Sequence, residues 1–279
     1  MRIADRELGR PHFSGRGFKL PVVIVLTYTA LLVVAPLLAI SWGAFSSGVS
    51  ATLREITSPD ALHALKLTLL LAISASGLNA VLGLVTAWVL VRHRFRGRAL
   101  LNALVDLPFA ISPVIAGLML ILLFGREGWL RFLPDALGIQ IVFALPGMLL
   151  ATVFVSLPFV VREVMPVLSH LGTEQEEAAH TLGATGWQTF RKVTLPAIRW
   201  GLLYGISLTF ARALGEFGAV LVVSGGVSGM TETATLFIFR SMDDRNYAAA
   251  YSMALVLAVV SFGTLILIEL LKKRTGQRR

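Results

Sequence analysis

Residues 176–196 read EEAAHTLGATGWQTFRKVTLP and stand between two long apolar runs. Acids come first, then small residues, a glycine, two bases and a Leu-Pro. Just before them, Thr173-Glu174-Gln175-Glu176 has the spacing of a capping box, in which Thr173 caps the Glu176 N–H and Glu176 reaches back. Glu174, Glu176 and Glu177 fall in the first turn, where the helix dipole favours anions. Ala178, Ala179 and Leu182 follow at helical spacing, and Gly183 offers a helix stop. A second short helical stretch, Trp187 to Val193, puts Phe190 and Val193 on one side and Arg191 and Lys192 on another. Pro196 suits the first turn of the helix that follows. The segment predicts a short helix, a glycine turn and a second short helix.

What flanks this segment is membrane-like. The chain is 56% hydrophobic and 15% charged, with a mean hydropathy of +0.76, against about a quarter charged in an ordinary soluble domain. Runs without Asp, Glu, Lys or Arg extend over 20–53, 67–91, 107–125, 136–161 and 246–268. A sixth run, 201–223, is interrupted only by Arg212 and Glu216. About 20 apolar residues cross about 30 Å of hydrocarbon, so each run holds one helix. The fold class is all-α, a polytopic membrane protein. Its six transmembrane helices are expected near 20–44, 67–91, 104–124, 141–161, 201–223 and 248–271. The domain layout is an amino tail 1–19, a six-helix membrane domain 20–271 with a connection at about 162–200, and a basic tail 272–279.

Lys and Arg number eighteen in the two tails and the connections 92–99 and 162–200, against six in the three alternate connections. The positive-inside bias then places both termini and the 162–200 connection in the cytoplasm. The sequence pI near 10.6 follows from this topology and from contact with anionic membrane lipid. The aromatic-basic interleaving of a nucleic-acid groove is missing, so no nucleic-acid partner is expected. There are no cysteines, which excludes disulfides, thiolate metal sites and cysteine nucleophiles. No Gly-Lys pair occurs, so the phosphate loop of an ATPase is absent. The five histidines, His12, His63, His93, His170 and His180, form no ligand cluster in sequence. The chain is expected to be non-catalytic, without a hydrolytic site or metal-ligating residues.

An amphipathic connector lying on headgroups is one reading of 174–193, but such a helix is usually basic. Here the first helix is acidic and its centre small, which suits docking into a protein groove. Glu177-Ala178-Ala179, then Gly183, Val193 and Leu195-Pro196, resembles the EAA loop of bacterial ABC importer permeases; Val193 stands where isoleucine is usual. DLPFAISPVIAGL (106–118), LPFVVREVMPVL (157–168) and ARALGEFGAVLVVSGG (211–226) look like the W-type permeases of sulfate/thiosulfate importers. ARALGEFGA also occurs in molybdate and T-type sulfate permeases.

The resemblance implies a type I ABC importer permease fold with a cytoplasmic coupling helix in the bacterial inner membrane. It implies a homologous T-type permease partner, two ATPase subunits that hold ATP and magnesium, and a periplasmic sulfate/thiosulfate-binding protein. This chain itself would carry no cofactor. The ATPase-docking residues would be Glu176, Glu177, Ala178, Ala179, Leu182 and Gly183. A permease for another oxyanion such as molybdate, and a stand-alone secondary transporter, are the alternatives. The latter would show an inverted repeat and ion-coupling residues near the midplane.

Arg212 and Glu216 are spaced i, i+4 inside the fifth span. Each alone costs roughly 2.5–3.5 kcal/mol at a helix centre. They are either a structural ion pair or part of the translocation pathway or its gate, where the planar fork of Arg212 suits an oxyanion. Asp106 is either a first-turn acid or the partner of a base on another helix. Gly201 and Gly205 make a small-residue face for helix contact. Asp243, Asp244 and Arg245 belong to an outer connection, as a solvated loop or a landing site for the binding protein.

Overall fold

The computed structural model describes residues 19–274. Nearly all of the 1–19 tail and residues 275–279 of the basic tail lie outside the described residues. Among the described residues every regular element is a helix and none is a strand. In order come α1 (Lys19–Phe45), α2 (Val49–Ile56), α3 (Pro59–Arg92), α4 (Arg98–Ala110), α5 (Pro113–Phe124), α6 (Phe132–Leu137) and α7 (Leu145–Leu171). Then follow α8 (Glu174–Thr181), α9 (Gly186–Thr189), a wide π turn (Phe190–Thr194), α10 (Leu195–Leu214), α11 (Gly218–Ser224), α12 (Ala234–Asp243) and α13 (Tyr247–Arg274).

Five stretches are long and apolar enough to cross a membrane: α1, α3, α7, the continuous helix Gly186–Leu214, and α13. The sixth expected crossing is the pair α4 and α5, which passes the same test together but is bent by 116°. It is not the single helix expected over 104–124. Ile111 and Ser112 are extended ahead of Pro113, because a residue before proline is pushed out of the helical region.

The fifth span also differs from the straight 201–223 helix expected. It begins at Gly186 and ends at Leu214, and α11 restarts at Gly218. The fourth span runs to Leu171 rather than 161, so Arg162 lies inside α7 and the expected 162–200 connection shrinks to 172–185. The second span starts at Pro59, where Ser58 accepts from the Ala61 N–H at 3.3 Å and the proline sits in the first turn. At 34 residues and 1.5 Å per residue, α3 is about 50 Å long, well beyond the hydrocarbon layer.

The core is built on α3, α7 and α10. One apolar cluster joins Leu71, Met148, Val155, Val220 and Val223. A second joins Leu90, Val160, Val164, Leu168 and Ile198. A third seats the first turns of α3 against α12 and α13 through Ala61, Ala64, Phe237 and Met253. Helices in lipid approach through small residues, and Val160 is wedged between two of them. A Cβ on Gly83 would stand 2.7 Å from the Val160 Cβ, and one on Gly205 would stand 2.9 Å from its Cα. Asn79, fully buried in α3, donates to the Val153 carbonyl at 3.1 Å and to Ser156 Oγ at 2.9 Å, tying α3 to α7 at mid-span. By contrast α1 packs on α13 while its apolar side chains stay largely exposed.

Gly83→Leu therefore forces α3 and α7 apart. Overpacking of this kind costs about 1–3 kcal/mol. Thermal unfolding of the purified variant in detergent should show a lowered midpoint, and an unchanged midpoint would contradict the close contact.

Candidate functional site

Two regions carry the polar chemistry: the segment between α7 and α10, and the interruption between α10 and α11. In the first, α8 ends as a Schellman turn. Gly183 takes a left-handed φ of +85°, the Gly183 N–H donates to the His180 carbonyl at 2.9 Å, and the Ala184 N–H donates to the Ala179 carbonyl at 3.0 Å.

The capping box expected at Thr173 does not form, since Thr173 makes no side-chain cap. It forms instead at the next helix. Thr185 Oγ1 accepts from the Gln188 N–H at 3.3 Å, and Gln188 Oε1 accepts from the Thr185 N–H at 2.9 Å. The second helix is also not separate from the span. It runs through the π turn, where the Leu195 N–H donates to the Phe190 carbonyl, straight into α10. Pro196 lacks an N–H, and the wide turn sits immediately before it.

Glu176 cannot complete a cap because its carboxylate is held elsewhere. It lies 3.0 Å from Arg92 Nε, accepts from Arg92 Nη2 at 3.1 Å, and accepts from Thr194 Oγ1 at 2.8 Å. The residue is only 8% exposed. Glu176, expected among the docking residues, thus faces inward. Glu177, Ala178, Leu182 and Gly183 face solvent, and Ala179 is half-buried. Leu182 is 89% exposed and Trp187 is 69% exposed, so the exposed surface of this segment carries bare apolar side chains alongside Glu174, Glu177, Arg191 and Lys192. Exposed hydrophobics grouped among polar residues mark a contact surface.

In the second region, Arg212 is on the last turn of α10, but Glu216 lies beyond the helix end. The expected intrahelical pair is thus an ion pair across a break. Arg212 Nη1 is 2.8 Å from Glu216 Oε2. Glu216 Oε1 accepts from the Ala219 N–H at 3.0 Å, and the Glu216 carbonyl accepts from Thr235 Oγ1 at 2.7 Å. The Glu216 side chain is buried, whereas 31% of the Arg212 side chain stays exposed. Gly218 lies against Pro113 and Val114, so the α10–α11 break meets the α4–α5 break. Irregular backbone at membrane depth persists only where protein buries it or water lines it.

Two further ion pairs tie the helices. Asp106 accepts from Arg162 Nε at 2.7 Å and pairs with its Nη2 as well, which settles Asp106 as the partner of a base on another helix. In the connection between α11 and α13, Glu232 holds Arg240 by two bonds of 2.6 and 3.0 Å, with Asp60 and Asp244 nearby. The bond to Glu232 and the surrounding acids raise the Arg240 pKa above its ordinary value. Asp244 is therefore engaged with Arg240 across one turn.

Sequence reasoning missed Arg92, Trp88, Thr194 and Trp187. Arg92 read as one of four topological bases in a short connection. Nothing in the local pattern joins it to Glu176, 84 residues away. The exposed tryptophan in a polar loop was a usable signal.

The family described as the binding-protein-dependent transport system inner membrane component matches residues 79–277. The sulfate transport system permease protein CysW of Synechocystis sp. is 49% identical over 258 residues, covering 92% of this chain and 94% of that protein. CysW of Escherichia coli K12 is 45% identical over 265 residues, covering 95% and 90%. CysT of the same organism is 42% identical over 262 residues, covering 94% and 95%. Among solved structures, a chain of a bacterial alginate ABC transporter in complex with its alginate pentasaccharide-bound periplasmic protein superposes with a TM-score of 0.75. The identity is 17%, with 92% of this chain and 95% of that chain covered.

Removing one partner of a buried ion pair strands the other. Glu216→Gln should lower stability by about 1–3 kcal/mol, less than a fully buried pair because Arg212 is partly wet. Arg212→Gln/Glu216→Gln should recover part of that loss. Additive losses in the double-mutant cycle, read by thermal unfolding, would show that the pair is not coupled.

Proposed function

Given that the chain belongs to the binding-protein-dependent transport system inner membrane components, we propose that it is a permease subunit of an ATP-driven importer for sulfate or thiosulfate. The observation that carries the substrate is the high identity to CysW proteins over about nine-tenths of both chains. The identity to CysT, at 42%, supports pairing with a homologous T-type permease. In this reading a periplasmic binding protein delivers the anion. Two ATPase subunits, which bind ATP and magnesium, sit under the α8–α9 segment. Both termini and that segment face the cytoplasm, as the Lys and Arg bias requires.

The exposed Glu177, Ala178, Leu182, Gly183 and Trp187 form the docking surface. ATP binding draws the two ATPases together and moves the docked segments with them, which turns the pathway outward; hydrolysis resets it. The chain thus has two states, each biased by ligands at distant sites. At the junction of the two broken helices, the half-exposed Arg212 guanidinium meets the passing oxyanion. Its planar donors fit oxygen pairs of the tetrahedral anion. Glu216 fixes the guanidinium and lowers the net local charge, so that the anion is attracted and still released.

Glu177→Lys should leave the protein inserted in the membrane but abolish co-purification of the ATPase. Retained ATPase would count heavily against the docking surface. Arg212→Gln in an assembled complex should abolish labelled-sulfate uptake, and normal uptake would remove Arg212 from the pathway.

A further inference from the structure

We infer that Arg92, Glu176 and Thr194 form a transmission joint, which sets how much anion is imported for each ATP hydrolysed. The inference rests on the docking reading above. It assigns Glu176 an inward role as a positioning residue rather than a docking one.

The first ground is the way α8 is joined to the chain on either side. The helix is bounded by Gly172 and Gly183, both at left-handed φ, +64° and +85°. Glycine adopts such angles without steric cost, so both turns at the ends of α8 depend on glycine. A short helix hung between two such points would absorb a push by pivoting. Something other than its backbone must take up the slack.

The second ground is what Glu176 grips. Both of its oxygens are engaged by Arg92, and one also by Thr194. Arg92 is the last residue of α3. It also donates through Nη1 to the Leu168 carbonyl at 3.2 Å and through Nη2 to the Gly172 carbonyl at 2.7 Å, closing the end of α7. A cation suits the carbonyl end of a helix. Thr194 lies in the π turn that opens α10. One carboxylate therefore connects α8 to the ends of three core helices.

The third ground is a parallel aromatic path. Trp187 stacks on Phe190 at 5.6 Å, Phe190 meets Trp88 edge-on at 5.4 Å, and Arg92 stands 5.9 Å from the Trp88 ring. Both arms of the docking segment thus end on the same last turn of α3. The Arg92 and Glu176 side chains are almost fully buried, so opening the joint strands a charge out of water. Such a contact moves as a unit instead of yielding.

The test uses the complete importer, with cysteine-free partner chains, reconstituted in lipid vesicles. Arg92→Gln and Glu176→Gln should still co-purify with the ATPase and hydrolyse ATP. Sulfate imported per ATP should fall about tenfold, within the usual range of coupling between distant sites. Thr194→Val removes one hydrogen bond and no charge, so it folds more safely; its ratio should fall about threefold.

Because the chain has no cysteine of its own, Arg92→Cys/Glu176→Cys can be bridged with a short bis-methanethiosulfonate, each cysteine forming a reducible disulfide as methanesulfinate leaves. The linker should restore the ratio, and its reduction should abolish it again. A wild-type ratio in these variants, loss of the ATPase together with import, or a linker without effect would each overturn the joint. Failure of the wild-type chain itself to retain the ATPase would instead overturn the docking reading.

Discussion

Hydrocarbon offers no partner to a free amide or carbonyl, and this constraint shapes the whole chain. Long uninterrupted helices satisfy their backbone internally, so they cross wherever charge-free runs of sufficient length occur. The two interrupted helices need outside help. At the α10–α11 break that help is the Glu216 carboxylate, which takes one amide of the restarting helix while its other oxygen holds Arg212. At the α4–α5 break, Pro113 removes one amide that would otherwise lack a partner. The two breaks abut through Gly218, so each is shielded by the other. The break still leaves the Arg212 guanidinium partly exposed, which is why the proposed path of the anion runs past it.

The same economy appears at the other polar region. The α8–α9 segment leaves large apolar side chains in the open, while its inner acid is committed to Arg92. The inner face of α8 carries the buried Glu176, while the bare apolar side chains Leu182 and Trp187 lie beyond its last turn and in α9. In the proposed reading, Leu182 and Trp187 are the surface that the ATPase meets. The inner face fastens the helix to the bundle. A segment bounded by glycine turns at both ends needs this fastening if movement of the partner is to reach the core.

The sequence carried the large features because they rest on summed quantities. Charge-free runs of about 20 residues located five of the apolar segments, the sixth run was read through Arg212 and Glu216, and the six-span all-α expectation holds with one span bent. Glycine at 183 ended α8 as expected, because only a left-handed residue closes that turn. Local signals failed where a distant side chain won. Thr173 and Glu176 have capping-box spacing, but Arg92 and Thr194 outbid the backbone for the carboxylate. Arg162 looked like a loop base and is an intramembrane-helix partner of Asp106, 56 residues earlier. The fifth span looked continuous because Val, Leu and Ala surround the break, and hydropathy is blind to the two glycines that interrupt it. Asn79 gave no sign at all within a run of apolar residues.

The account turns on whether the exposed tip of α8 and α9 meets a separate polypeptide. A photoactivatable amino acid placed at Leu182, in the assembled importer in its native membrane, tests this most directly. The account predicts that illumination yields one dominant adduct, between this chain and the ATPase subunit. Adducts formed with lipid alone would contradict it.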